Sequence, residues 1–175
     1  LDNEQNLWNC LDPRFPQVRE YLIGIYEKAA QEWRIDGFKL DFIDSFVLTP
    51  YTNTDSSGRD YESLEDAAER LLHDITARLR RLDPEVLLEF RQTYIGPVIS
   101  QFGNMLRVND CPLDATANRL GVLDLRLTSG KAAVHSDMIT WHKKETDEGV
   151  ASQLIAALFG VPQISVVLSE LSDSH

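Results

Sequence analysis

Lys39 and Asp41 stand two residues apart in Gly37-Phe-Lys-Leu-Asp-Phe-Ile43, and that spacing makes them candidates for chemistry. In an extended chain Phe38, Leu40 and Phe42 share one face, and Lys39 and Asp41 share the other. A parallel strand covered by helices is apolar on both faces, and a buried charge without a partner costs several kcal/mol. The pair is therefore a structural ion pair or a site, and its place at a strand end before a long polar loop favours a site. Asp110, in Arg107-Val-Asn-Asp-Cys-Pro112, is a second carboxylate at a strand end. Two carboxylates across a glycosidic bond hydrolyse it, one as nucleophile and one as general acid/base, roughly 5–5.5 Å apart when configuration is retained. Lys39 would keep Asp41 ionised and nucleophilic, and its ammonium could also donate to a sugar hydroxyl. The proton donor needs an apolar or like-charged setting, with which Cys111 and Pro112 beside Asp110 are compatible.

The elements that must hold these residues follow from the hydrophobic pattern. Pro16 suits a first helical turn, and Val18, Leu22, Ile25, Tyr26, Ala29 and Trp33 follow at helical spacing. The strand at 37–43 precedes a loop over 44–62 that is rich in turn formers. Ser63 with Asp66 resembles a capping box, and Leu64, Ala67, Ala68, Leu71, Leu72, Ile75 and Leu79 form the stripe of a helix that Asp83-Pro84 ends. A strand at about 86–91, a short helix from Gly96 to Phe102 and a strand over Met105–Val108 come next. A helix at about 113–128 and a strand at 132–137 follow. Thr146 and two acids open another helix, with Val150, Leu154, Ile155 and Leu158 on its buried face, before a last strand over Gln163–Leu168.

This alternation, with no internal repeat, predicts an α/β fold with a parallel sheet. Polar residues recur at the carboxyl ends of successive strands: Lys39 and Asp41, Glu89 and Arg91, Asn109 and Asp110, His135 and Asp137. A (β/α)8 TIM barrel places its catalytic groups there. A doubly wound sheet would carry a glycine-rich first turn, and none is present. Five strands fall short of eight, so residues 1–175 are expected to form the C-terminal part of a catalytic barrel. Such a piece needs the rest of its own chain for closure and leaves room for a homo-oligomer.

The chain is 43% hydrophobic and 26% charged, ample for a globular core. A net charge of −11 and a pI of about 4.7 argue against nucleic acid or an anionic membrane as partner. No apolar run approaches the ~20 residues of a membrane span. Cys10 and Cys111 read as two free thiols.

Three segments carry a resemblance to a known family. Asp12-Pro-Arg-Phe-Pro-Gln-Val-Arg-Glu-Tyr-Leu22, Asp36-Gly-Phe-Lys-Leu-Asp-Phe-Ile43 and Asn109-Asp-Cys-Pro-Leu-Asp-Ala115 with Asn118-Arg119 resemble glycoside hydrolase family 36. These are the melibiase-type α-galactosidases, of the clan that also holds the family 31 α-glucosidases. The resemblance covers nearly the whole chain. It implies a retaining α-galactosidase that needs no cofactor, with Asp41 as nucleophile and Asp110 as acid/base. Lys39, Arg91, Asp114 and His135 would contact the oligosaccharide or other α-glycoside. Where the family commonly carries Cys-Ser-x-Gly-Gly, this chain has Glu89-Phe-Arg-Gln-Thr-Tyr-Ile-Gly96, whose Arg followed by Gly resembles family 31. Other α-linked sugars, glucose or N-acetylgalactosamine, therefore stay open as substrates.

Simpler readings compete for several residues. Asp110 could cap the helix near Leu113, Asp114 could be the donor, and Arg91 and Arg107 could neutralise acids. His135 could be a hydrogen-bonded core residue, and Trp141 could cover the core or, with His142, wall a sugar site. Two functions from other classes also compete. One is metal-assisted hydrolysis through Asp41, Asp110, Asp114 and His135, against which Lys39 would repel the cation. The other is a non-catalytic carbohydrate-binding barrel fragment.

Overall fold

The computed structural model describes residues 11–48 and 55–171. The chain is α/β, and it divides into two compact units, Leu1–Val86 and Leu87–His175.

In the first unit, helix α1 (Pro16–Trp33), strand β1 (Gly37–Leu40) and helix α2 (Leu64–Leu82) follow one another. Pro16 takes the first helical position of α1, as expected. The buried positions of α1 are Arg19, Ile23 and Ala29, while Ile25 and Trp33 of the anticipated stripe point to solvent. Arg19 occupies a core position because Asp60 pairs with it at 2.5 Å and the Pro13 carbonyl accepts from it at 2.7 Å. The Ser63 hydroxyl accepts from the Asp66 backbone N–H and so caps α2, whose buried Ala67, Leu71, Leu72, Ile75 and Leu79 reproduce the stripe. Arg78 of α2 ties the two helices together through Glu27 at 3.0 Å and Glu20 at 3.3 Å.

The second unit is a parallel sheet in sequence order: β2 (Leu87–Arg91), β3 (Met105–Arg107), β4 (Ala133–Ile139) and β5 (Val161–Ile164). Helix α3 (Ala115–Thr128) joins β3 to β4, and α4 (Asp147–Ala156) joins β4 to β5. Phe90, Leu106 and Val134 stand side by side in register, each at most 2% exposed, and form the centre of the core with Val122 and Leu125 of α3. Thr146 caps α4 through the Gly149 N–H, as the sequence suggests.

Several boundaries differ from expectation, each for a local reason. The strand expected over 37–43 stops at Leu40, because Phe42 adopts φ 55 and turns its ring out to 50% exposure. Between Gly96 and Phe102 only a 3-10 turn forms, over Ile99–Gln101. Helix α3 starts two residues late, after Leu113 at φ 67, with Asp114 as its cap. The last strand starts two residues and ends four residues upstream of the stretch expected, because it follows β4 only as far as Ile164. Pro162, which has no N–H to donate, sits within it. On α4 the buried residues are Val150, Gln153 and Ala156, while Leu154, Ile155 and Leu158 are exposed.

Candidate functional site

Each unit carries part of the predicted set. In the first, burial of Leu40 fixes the end of β1 and leaves Lys39 and Asp41 facing away from it. Lys39 Nζ lies 3.1 Å from Asp41 Oδ2, with the two side chains 40% and 26% exposed. The left-handed Phe42 aims its backbone N–H at Asp41 Oδ1, 2.9 Å away. Asp41 is thus a carboxylate held by a cation and an N–H, and still open to solvent. Among the described residues it is also the one charged group lining an apolar cavity of about 320 Å³, whose walls include Tyr26, Leu40, Phe42, Phe46 and Leu71. Burial there pushes the Tyr26 phenol above its ordinary pKa.

In the second unit the register puts Arg91 beside Arg107 and Arg107 beside His135, so the three share one face of the sheet, opposite Phe90, Leu106 and Val134. Asp110 lies three residues beyond the end of β3. Arg107 holds its Oδ1 at 2.6 Å, and Arg91 stands 3.6 Å from its Oδ2 while donating to Asn109 at 3.3 Å. The surroundings are therefore oppositely charged, not apolar or like-charged as a proton donor would prefer, and its side chain is 60% exposed. The helix cap is Asp114: its Oδ1 accepts from the Ala117 N–H at 2.9 Å, which removes the cap reading for Asp110.

Arg107 neutralises acids, as one of the two readings had it. Its other partner is Asp137, a fully buried carboxylate that also accepts from the Cys111 N–H at 2.6 Å. The backbone of Asp137 is clasped by the buried Asn118, which accepts from its N–H at 3.0 Å and donates to its carbonyl at 3.2 Å. Burial, and then the negative charge of Asp137, push the Cys111 thiol up to about 11. Trp141 is 8% exposed and packs with Ile139, Val150 and Ala157, so it covers the core. His135 Nδ1 lies 2.7 Å from Glu89 Oε2 and 2.8 Å from Gln163 Nε2.

The structure thus brings Lys39 to Asp41 and Arg91 to Asp110, while Asp114 is occupied as a cap and His135 is engaged by residues the sequence reading did not select. Glu89 and Asp137 stand out in the sequence only as polar residues at strand ends, and Asn118 only within a segment that carries the family resemblance, none of them with a role; Gln163 carries no such signal. Cys10 lies outside the described residues. Among the described residues no group of three or more His, Cys, Asp or Glu is placed to hold a metal ion, and no helix is long and apolar enough to cross a membrane. No protein-family model matches the chain, and no curated protein matches its sequence.

Proposed function

We propose that this chain belongs to a retaining α-glycoside hydrolase, an α-galactosidase acting on terminal α-galactosides of oligosaccharides. Asp41 attacks the anomeric carbon while Asp110 protonates the leaving oxygen; Asp110 then activates the water that releases the sugar. Lys39 keeps Asp41 ionised, Arg91 and His135 contact hydroxyls, and Asp114 offers a hydroxyl its second carboxylate oxygen. The fold behind this reading is the C-terminal part of a (β/α)8 barrel. The sequential order of β2, β3, β4 and β5 supports it, since right-handed crossovers between such strands set every helix on one face.

The observation that carries the reading is the Lys39–Asp41 pair at the end of β1. A buried structural ion pair would be closed to solvent, whereas this one is hydrogen-bonded and open at once. The two guanidinium groups on Asp110 favour a second reading, binding of a carbohydrate without turnover, because they oppose its protonation. For acid catalysis the substrate must displace at least one of them.

The full-length protein assayed on aryl α-galactoside, α-glucoside and α-N-acetylgalactosaminide, with product anomers followed by NMR, separates the readings. Release of the α-anomer supports the mechanism, and the preferred sugar sets the specificity. Binding without turnover selects the second reading, and the β-anomer as first product contradicts double displacement.

A further inference from the structure

Glu89 is a carboxylate that the proposed mechanism does not use, yet it sits in β2 at 7% exposure. A carboxylate withdrawn from water is tolerated only when it is paired. Its partner is the imidazole of His135, on the far side of β3, at 2.7 Å from Nδ1. Gln163 of β5 flanks the same nitrogen at 2.8 Å. The other ring nitrogen, Nε2, has no hydrogen-bond partner among the described residues and keeps contact with solvent; the side chain is 15% exposed.

A neutral imidazole donates from one nitrogen and accepts at the other, and a carboxylate at Nδ1 settles which is which. The same arrangement orients histidines that ligate metals or carry protons. We propose that Glu89 is the positioning residue of His135. It fixes the proton on Nδ1, sets the plane of the ring and presents Nε2 as an acceptor for a ligand hydroxyl. With the proton on Nδ1, the Gln163 amide, whose Nε2 faces that nitrogen in the structure, must turn by half so that its oxygen accepts from the same N–H. That the hydroxyl belongs to a sugar rests on the glycosidase reading; the Glu89–His135 pairing does not. The charged groups that share this part of the sheet are Glu89 and Arg91 from β2, Arg107 from β3 and Asp137 of β4; β5 contributes the neutral Gln163.

The test is nitrogen-15 NMR of the full-length protein at a pH where the ring is neutral, with His135 assigned by comparison with His135→Gln. The expected spectrum shows Nδ1 protonated and Nε2 bare, a pattern that Glu89→Gln converts to Nε2–H or a mixture. A wild-type ring protonated on Nε2 would overturn the proposal, as would a spectrum unmoved by Glu89→Gln. Should that variant not fold, the wild-type spectrum alone decides. In kinetics on an α-glycoside, Glu89→Gln is expected to raise KM about tenfold with little change in kcat, since contact with a hydroxyl present throughout the reaction is uniform binding. Inactivity of the wild type on every α-glycoside, with the tautomer as expected, would sink the sugar reading and still support the pairing.

Discussion

At the scale of single residues, partners decide what a charge can do. Lys39 and Asp41 were legible in the sequence because two charges on one side of an apolar strand need an account, and alternation alone put them together. The partners of Asp110 were harder to read. Arg91 lies on a neighbouring strand, and which strands neighbour each other is a property of the sheet, not of local spacing. Asp137 was visible as an acid near a strand end, but its complete burial depends on Arg107, on the Cys111 N–H and on Asn118 of α3. That same carboxylate sets a prediction for Cys111. With the thiol raised to about 11 in the folded protein, alkylation at neutral pH should be slow, and its rate should climb through about pH 11 rather than near 9. The sign for stability follows by linkage: the folded state holds the proton more tightly, so this contribution is full below about pH 9 and is lost as pH rises towards 11. Alkylation rates across that range, beside a Cys111→Ala control, check it.

At the scale of elements, the strongest local signals gave correct elements and the weaker ones gave only their neighbourhood. Helix α2 combines a cap, a continuous apolar stripe and an Asp-Pro stop, and all three appear in the structure. Helix α4 had equally apolar residues at the right spacing, yet Val150, Gln153 and Ala156 face inward, and Gln153 earns its place by donating to the Leu113 carbonyl. The buried face of α4 thus carries a tertiary hydrogen bond beside Val150 and Ala156, while Leu154 and Ile155 stay exposed, and a single-sequence pattern cannot report such a bond. Gly121 of α3 shows the opposite case, a small residue required by packing. A Cβ there would lie 2.4 Å from Cγ1 of the buried Val108 and 3.1 Å from the Gln92 amide oxygen. In an exposed helix Gly→Ala gains about 1 kcal/mol, but a β-branched core neighbour cannot yield easily. Gly121→Ala is therefore expected to destabilise by about 1–3 kcal/mol in urea titration, and a variant of unchanged or higher stability would contradict this packing.

At the scale of the whole molecule, the α/β class and the strand count were legible because helix and strand periodicities alternate along the chain; the division into two units was not, since no composition shift marks Val86. With 17 Lys and Arg against 28 Asp and Glu, acids outnumber the cations that can pair with them. In the first unit Arg14 binds Asp12 at 2.8 Å and Arg19 binds Asp60 at 2.5 Å, and these hydrogen bonds hold both carboxyls below the ordinary carboxylate range. Because the folded values are depressed, their contribution is present above about pH 4 and is lost as pH falls through the folded values. Thermal melts between neutral pH and about pH 3 should show a steep acid loss that Arg19→Met makes shallower, after lowering stability at neutral pH. An equally steep loss in the variant would show that this pair is not responsible. Covalent trapping tests most directly whether Asp41 is the nucleophile. The full-length protein is incubated with a fluorinated α-galactosyl fluoride, digested and read by mass spectrometry. The predicted result is one added fluorogalactosyl mass on the peptide carrying Asp41, absent in Asp41→Asn. A label on any other carboxylate, with Asp41 unmodified, would contradict its assignment as nucleophile.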